Sequence, residues 1–120
     1  YKTFHAGTSF GTELRQVVEN LPAGRYRLIM PVNLIWHENL DPNGVGWDHE
    51  TAESAAFAFV DGMRFGRWAN ALEMGDRTWY YHQVEFDVAA GDNVEVVLQF
   101  KSRYAKKDFF IDAVTLESID

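Results

Sequence analysis

Aromatic and hydrogen-bonding side chains recur at alternating positions in several segments, and together they could hold a ligand without covalent chemistry. Trp79 and Tyr81 stand two residues apart, so both rings should project from the same side of a strand. Aromatic rings pack on the flat C–H faces of sugars, while polar groups bond their hydroxyls. The polar side chains expected to point outward from neighbouring segments are Arg27, Asn33, Gln99 and Arg103. If these segments share a sheet, they predict a carbohydrate-binding face; alternatively, the two rings lie under a loop or against a second sheet.

A second candidate for ligand binding is Trp47, which lies in a long polar segment, residues 37–53, between Gly44 and Gly46 on one side and Asp48 on the other. Long ordered loops often carry function. An exposed tryptophan is costly unless it packs or binds something. The sequence therefore supports two interpretations: Trp47 contributes to a ligand site at the rim, or it folds back and closes the end of the domain.

The run at residues 109–117 is apolar but contains one carboxylate in its interior, Asp112. Such a run predicts a strand that is buried on at least one face. A buried carboxylate without a partner is very costly. Asp112 is therefore expected to be paired, to bind a cation or to point at the rim of the sheet.

Composition excludes several classes of function. The 120 residues carry a net charge of −7, from 11 basic and 18 acidic side chains, which argues against a nucleic-acid-binding surface. Cysteine is absent, so there is no thiolate metal site or cysteine nucleophile. No apolar run approaches the roughly 20 residues of a membrane-spanning helix. The length predicts one domain over residues 1–120, and the start at Tyr1 suggests a module taken from a larger protein.

Catalytic chemistry has weaker support. Two carboxylates such as Glu38 and Glu50 could in principle hydrolyse a glycosidic bond, but an acidic domain contains many such pairs by chance. His82 falls on the apolar side of its segment and is expected to be a hydrogen-bonded core histidine. The domain is therefore predicted not to be an enzyme, with a glycoside hydrolase as the least favoured alternative.

The elements that must position these residues are strands. Polar and apolar side chains alternate through residues 25–36, 78–88 and 93–104, which is typical of half-buried strands. Pro31 cannot donate to a ladder and predicts an edge strand or a bulge. One helical turn or an irregular loop is expected within residues 68–74. About eight short strands joined by turn signals predict an all-β fold, an antiparallel two-sheet β-sandwich of the jelly-roll type or a barrel.

Residues 21–28 (LPAGRYRL) resemble the turn and strand of jelly-roll carbohydrate-binding modules with a galactose-binding-like fold. The spacing to residues 84–86 (VEF), 91–94 (GDNV) and 111–116 (IDAVTL) is also similar. The resemblance implies a non-catalytic, extracellular or cell-surface module that binds a polysaccharide or oligosaccharide, with no nucleic-acid or membrane partner. Because this fold also serves structural roles, a protein-interaction domain of a multi-domain secreted protein is the alternative.

The resemblance also bears on Asp112, which matches the closing-strand aspartate through which related modules hold a structural calcium ion. Residues 1–10 lack the acidic residue that usually assists it, and calcium needs several oxygen ligands. The resemblance thus allows a structural calcium ion at Asp112 without requiring one. The other interpretation is that Asp112 pairs with an arginine or caps a turn.

Overall fold

The computed structural model describes residues 2–4, 10–36, 52–102 and 108–119, with the backbone alone for residues 2–4 and 10. Within these residues the chain forms two antiparallel five-stranded sheets. The first sheet contains β1 (Lys2–Phe4), β3 (Gly24–Ile35), β7 (Trp79–Val88), β9 (Asp108–Ile111) and β10 (Thr115–Ser118). The second contains β2 (Phe10–Val18), β4 (Glu53–Val60), β5 (Met63–Phe65), β6 (Trp68–Asn70) and β8 (Val94–Ser102). The predicted all-β two-sheet sandwich is confirmed.

The core lies between the two sheets and follows the alternation that the sequence shows. Along β3, every second side chain from Tyr26 to Leu34 is buried, and along β7 the same holds from His82 to Val88. Phe86 and Phe100, from opposite sheets, are among the largest buried side chains. The intervening residues of β3 and β7 consequently point away from the core, onto the outer face of the first sheet.

Pro31 lies in a central strand, contrary to the predicted edge position. β3 pairs with β7 along one side and with both β9 and β10 along the other. The Pro31 carbonyl accepts a hydrogen bond of 3.2 Å from the Asp112 amide, so the proline backbone faces the interval between β9 and β10. A strand tolerates proline there because the missing N–H falls where the neighbouring ladder is interrupted.

The sequence predicted one strand over residues 109–117. In the structure this run is divided into two strands. Residues 112–114 separate β9 from β10. Asp112 is exposed, and its Oδ1 accepts a 2.8 Å hydrogen bond from the Ala113 amide. The carboxylate is thus not buried within a strand; it bonds the backbone of the interruption, as the turn-capping interpretation proposed.

The β4–β5 hairpin turns at Asp61 and Gly62, both with positive φ, as the Asp-Gly signal predicts. The returning segment is divided at Gly66 into β5 and β6. A single helical turn, α1 (Ala71–Met74), follows β6 and confirms the expected turn. The Asn70 side chain caps it by accepting from the Glu73 amide, which satisfies a donor that a helix start leaves open.

Candidate functional site

The outer face of the first sheet changes character from one end to the other. The antiparallel register sets outward side chains of β3 and β7 opposite each other in five rows: Asn33–Trp79, Pro31–Tyr81, Ile29–Gln83, Arg27–Glu85 and Arg25–Asp87. Successive rows are about 7 Å apart, since a strand rises about 3.3 Å per residue. One end of this face is thus aromatic and amide-bearing, and the other end is ionic.

Both predicted rings of the aromatic end are exposed to solvent. Trp79 retains 45% and Tyr81 54% of its accessible surface. The alternative that they lie under a loop or against the second sheet was therefore wrong. Phe110 of β9 pairs with Asn33 from the other side, so Trp79, Asn33 and Phe110 form one row across three strands. The outer two strands of this row are about 10 Å apart, two interstrand spacings.

An open cavity of about 500 Å³, here called the Trp79 cleft, lies at this row. Its lining combines aromatic, amide and charged groups: Asn33, Ile35, Arg77, Trp79, Phe110, Ile111 and Asp112. Rings of this kind can stack on a sugar, and the amide and charged groups can donate to and accept from hydroxyls. Of the residues that the sequence predicts for a ligand-binding face, Trp79 and Asn33 line this cleft.

Arg77 is held at the cleft by its backbone. Its φ of 54° is uncommon for a residue other than glycine. Its backbone amide donates a hydrogen bond of 2.8 Å to the Leu34 carbonyl. Its guanidinium forms an ion pair with Asp76, whose other oxygen accepts 2.9 Å from the Trp36 amide. A backbone held in a sparsely populated region often occurs at a binding site.

Arg27 shares this face but not the aromatic end. Its guanidinium contacts Glu85 at 3.0 Å and Glu117 at 3.7 Å, and the bond from Arg27 lowers the pKa of Glu85. Six residues separate Arg27 from Asn33 along β3, or about 20 Å of strand. The structure thus brings Trp79, Tyr81 and Asn33 together and sets Arg27 apart from them.

Gln99 lies on the other sheet. It belongs to β8 in the second sheet, where its Nε2 donates to Glu13 Oε1 at 2.5 Å. The convergence of all three predicted segments on one face was therefore wrong for Gln99, because β8 pairs with β2 and β4 instead of β3. Trp47 and Arg103, and the carboxylates Glu38 and Glu50, lie outside the described residues.

The outer face of the second sheet carries its own small apolar cluster. Phe57 and Val97 are almost fully buried there, with Trp68 packed against them. Trp68 meets Phe57 edge-on at 5.8 Å between ring centroids, and the Lys101 ammonium lies 4.2 Å from the Trp68 ring. Because Lys101 already covers this tryptophan, the cluster is better described as a packed surface than as an open platform.

A second cavity of about 450 Å³, the edge groove, follows β7 and the segment around Gly66. Arg67 lines it and bonds both Glu73, at 3.0 Å, and the Tyr80 hydroxyl, at 3.2 Å. The bond from Arg67 lowers the pKa of Glu73, whereas burial raises the pKa of Tyr80. Arg67, Glu73 and Tyr80 thus form hydrogen bonds with one another at the groove.

His82 lies behind this groove and bonds Ser54, with 2.8 Å between Nε2 and Oγ. Burial, aided by the positive charge of Arg67, lowers the pKa of His82 to about 4, so the imidazole is neutral near pH 7. A serine bonded to a neutral histidine can be an activated nucleophile. Here, however, Ser54 is fully buried and also lies 3.0 Å from Met74 Sδ. The prediction of a hydrogen-bonded core histidine is confirmed.

Among the described residues, no three histidine or carboxylate side chains cluster as metal ligands would. The structural calcium ion at Asp112 stays a prediction of the resemblance. Within the same residues, no helix is long and apolar enough to cross a membrane.

Sequence reasoning missed four residues of the cleft lining, of which Phe110 and Arg77 bring an aromatic ring and a charge: Ile35, Arg77, Phe110 and Ile111. Phe110 belongs to an apolar run whose sequence does not show which of its residues face outward, and its register with Asn33 places it on the outer face. Arg77 follows Gly75 and Asp76, a turn signal, but the sequence does not show where that turn meets β3.

Comparison with known proteins supports the fold. A solved structure described as Family 16 Carbohydrate Binding Module-2 superposes with a TM-score of 0.60 at 18% sequence identity, over 98% of this chain and 74% of that one. This chain shares the β-sandwich fold of that structure. No protein-family model and no curated protein matches the sequence. The likeness supports the expected module-type β-sandwich, and at this identity it is a likeness of fold.

Proposed function

We propose that this domain binds carbohydrate non-catalytically on the aromatic end of the first sheet's outer face. The observation that carries the proposal is the pair of exposed rings, Trp79 and Tyr81, standing beside the Asn33 amide. Two exposed large aromatic rings on a sheet face are a costly surface unless they serve contact with a partner. The shared fold with a carbohydrate-binding module supports the same function.

Binding would combine stacking with hydrogen bonds. Trp79 and Tyr81 lie about 7 Å apart along β7, so each ring can take one stretch of an extended sugar chain. Asn33 and Gln83 supply amides that both donate and accept, and Thr115, paired with Ile29, adds a hydroxyl on the far side of β3.

The strands that carry the aromatic residues are held by pairing and by core packing. β3 is paired along both sides, and the inward residues of β3 and β7 are fixed in the core. Preorganised side chains lose little conformational entropy on binding. The proposal therefore includes little rearrangement, as expected for an accessory module of a larger extracellular protein.

The test is a glycan array followed by calorimetry on the glycans that bind. Trp79→Ala and Tyr81→Ala should each weaken binding roughly fivefold or more, because stacking contributes about 1 kcal/mol. Leu72→Ala is the matched control, since Leu72 is a 62% exposed apolar residue on α1 that does not line the Trp79 cleft. Unchanged affinity in both aromatic variants would remove this site. Concentration-dependent self-association lost in the same variants would instead favour a protein-interaction domain.

A further inference from the structure

We infer that the sugar chain bound at Trp79 and Tyr81 continues along β7 into the edge groove, where Gln83 and Arg67 complete the binding site. The inference rests on the proposed function and names the ligand class of the same site, an extended chain of several sugar units. It starts from Tyr81, which neighbours Trp79 on the outer face and also lines the edge groove.

The Trp79 cleft and the edge groove meet on β7. Trp79 lines the cleft, and the next two outward residues of the strand, Tyr81 and Gln83, line the groove. From Trp79 to Gln83 the strand covers about 13 Å, four residues at about 3.3 Å each. β7 pairs with β3 along one side, and no residue of β3 lines the groove. A chain laid along β7 therefore passes from the cleft over Tyr81 and into the groove.

The opposite wall of the groove is tied to β7 at two points. Phe65, Gly66 and Arg67, where the chain leaves β5, form this wall. Arg67 donates a hydrogen bond of 3.2 Å to the Tyr80 hydroxyl, and Phe65 stacks on Phe86 with 6.0 Å between ring centroids. Because both walls are held by these contacts, a ligand should enter the groove with little loss of conformational entropy.

The groove offers hydrogen-bonding groups that match sugar hydroxyls. Gln83 is exposed, and no hydrogen bond from a described residue engages its amide, which can both donate and accept. The Arg67 side chain is 65% exposed. Its terminal nitrogens bond Glu73 and Tyr80, whereas its Nε–H donates to no described residue. One free group thus stands on each wall.

Continuity with Trp79 favours a glycan over an added peptide strand as the occupant. A peptide that joins an edge strand gains its affinity from main-chain hydrogen bonds, which make no use of exposed rings. Both charged residues of the groove lining are also ion-paired within the domain, Arg67 with Glu73 and Glu85 with Arg27. This pairing favours a hydroxyl-bearing ligand over a charged segment.

The experiment measures affinity against chain length. Calorimetry compares the disaccharide with the hexasaccharide of four neutral linear series, from cellulose, mannan, xylan and galactan. Arg67→Ala and Gln83→Ala are the test variants, since each removes a groove contact and leaves Trp79 in place. Arg64→Ala and Gln16→Ala are the matched controls, because both residues are exposed and neither lines the cleft or the groove.

Wild-type protein should bind the hexasaccharide of at least one series more tightly than the disaccharide. Each test variant should reduce this affinity ratio about fivefold through the loss of a hydrogen bond, whereas the controls leave it unchanged. Amide NMR spectra give a readout that needs no substitution. The hexasaccharide, unlike the disaccharide, should shift the amide resonances of Gly66 and Arg67.

Equal affinity of the wild type for the two lengths, or an unaltered ratio in Arg67→Ala, overturns the inference. If Trp79→Ala still weakens binding in that case, the proposed function stands without it. Absence of binding to every probe overturns both. Shifts of the Gly66 and Arg67 amides that follow protein concentration without glycan would assign the groove to strand pairing between copies of this chain, and would also overturn the inference.

Discussion

His82 is the buried group whose titration should govern stability in mild acid. Its imidazole bonds Ser54 in the core and packs edge-on against Tyr80, with 5.0 Å between ring centroids. Burial and the nearby Arg67 charge lower its pKa from 6.5 to about 4. The folded state thus holds the neutral form, whereas the unfolded chain takes up a proton at a higher pH.

The sign of the effect follows from proton uptake. Between about pH 6.5 and pH 4 the unfolded state binds more protons, so stability falls as the pH is lowered. From pH 7 to pH 4.5 the His82 contribution should fall by roughly 2–3 kcal/mol, at 1.36 kcal/mol for each pKa unit. Urea unfolding of wild type and His82→Gln should show their stability difference shrinking by that amount. If the free energy of unfolding depended on pH in the same way in both proteins, the prediction would be contradicted.

Arg27 shows how a residue of suitable type and correct face can still lie outside a site. Its guanidinium is engaged by Glu85 and Glu117, about 20 Å along β3 from Asn33. Arg27→Ala should change glycan affinity less than about twofold, whereas Asn33→Ala should weaken it several-fold through the loss of an amide. Both variants can be compared by calorimetry on one glycan. A loss in Arg27→Ala equal to that in Asn33→Ala would extend the site to the ionic end.

At the scale of elements, Gly66 lies between β5 and β6, where the chain passes close to the backbone of Ala56 in β4. Its φ is +117°, and a Cβ there would lie 2.2 Å from the Ala56 carbonyl oxygen. Gly66→Ala should therefore lower the free energy of unfolding by about 3 kcal/mol or more, since both the conformation and the contact resist a side chain.

Gly62 is the matched control for Gly66. Its φ is +77°, but a Cβ at this position would have no other atom within 4 Å, so Gly62→Ala incurs only the conformational cost of about 1 kcal/mol. Urea unfolding of the two variants measures the difference. Equal losses would show that the Ala56 contact relaxes without cost.

The strands could be predicted where the alternation of polar and apolar residues is enough to identify them. Alternation placed the inward residues of β3 and β7 correctly, and with them the exposure of Trp79 and Tyr81. It did not show that residues 109–117 break at Asp112, where the Asp112 amide bonds the Pro31 carbonyl of the neighbouring strand, far earlier in the chain. Local sequence also does not report strand pairing, so the placement of Gln99 and Phe110 on different sheets could not be predicted.

At the scale of the whole molecule, the sandwich presents two outer faces with different structural roles. Two packed sheets lie about 10 Å apart, and their outer faces point in opposite directions. On the first sheet, Trp79 and Tyr81 remain exposed. On the second, Phe57 and Val97 are buried by neighbouring side chains, and the Arg64 guanidinium lies 4.7 Å from the Phe57 ring. Among the described residues, the first face thus exposes its aromatic rings, whereas those of the second face are packed.

Substitution of one tryptophan on each face should separate binding from stability. Trp68→Ala removes the edge-on contact with Phe57 and the cation–π contact with Lys101. It should therefore lower the free energy of unfolding by about 2 kcal/mol and leave glycan affinity unchanged. Trp79→Ala should weaken binding and leave stability within about 0.5 kcal/mol of wild type, as is usual for surface positions. Calorimetry and urea unfolding on both variants test the pair. A loss of affinity in Trp68→Ala at full folding would place ligand on the second sheet as well.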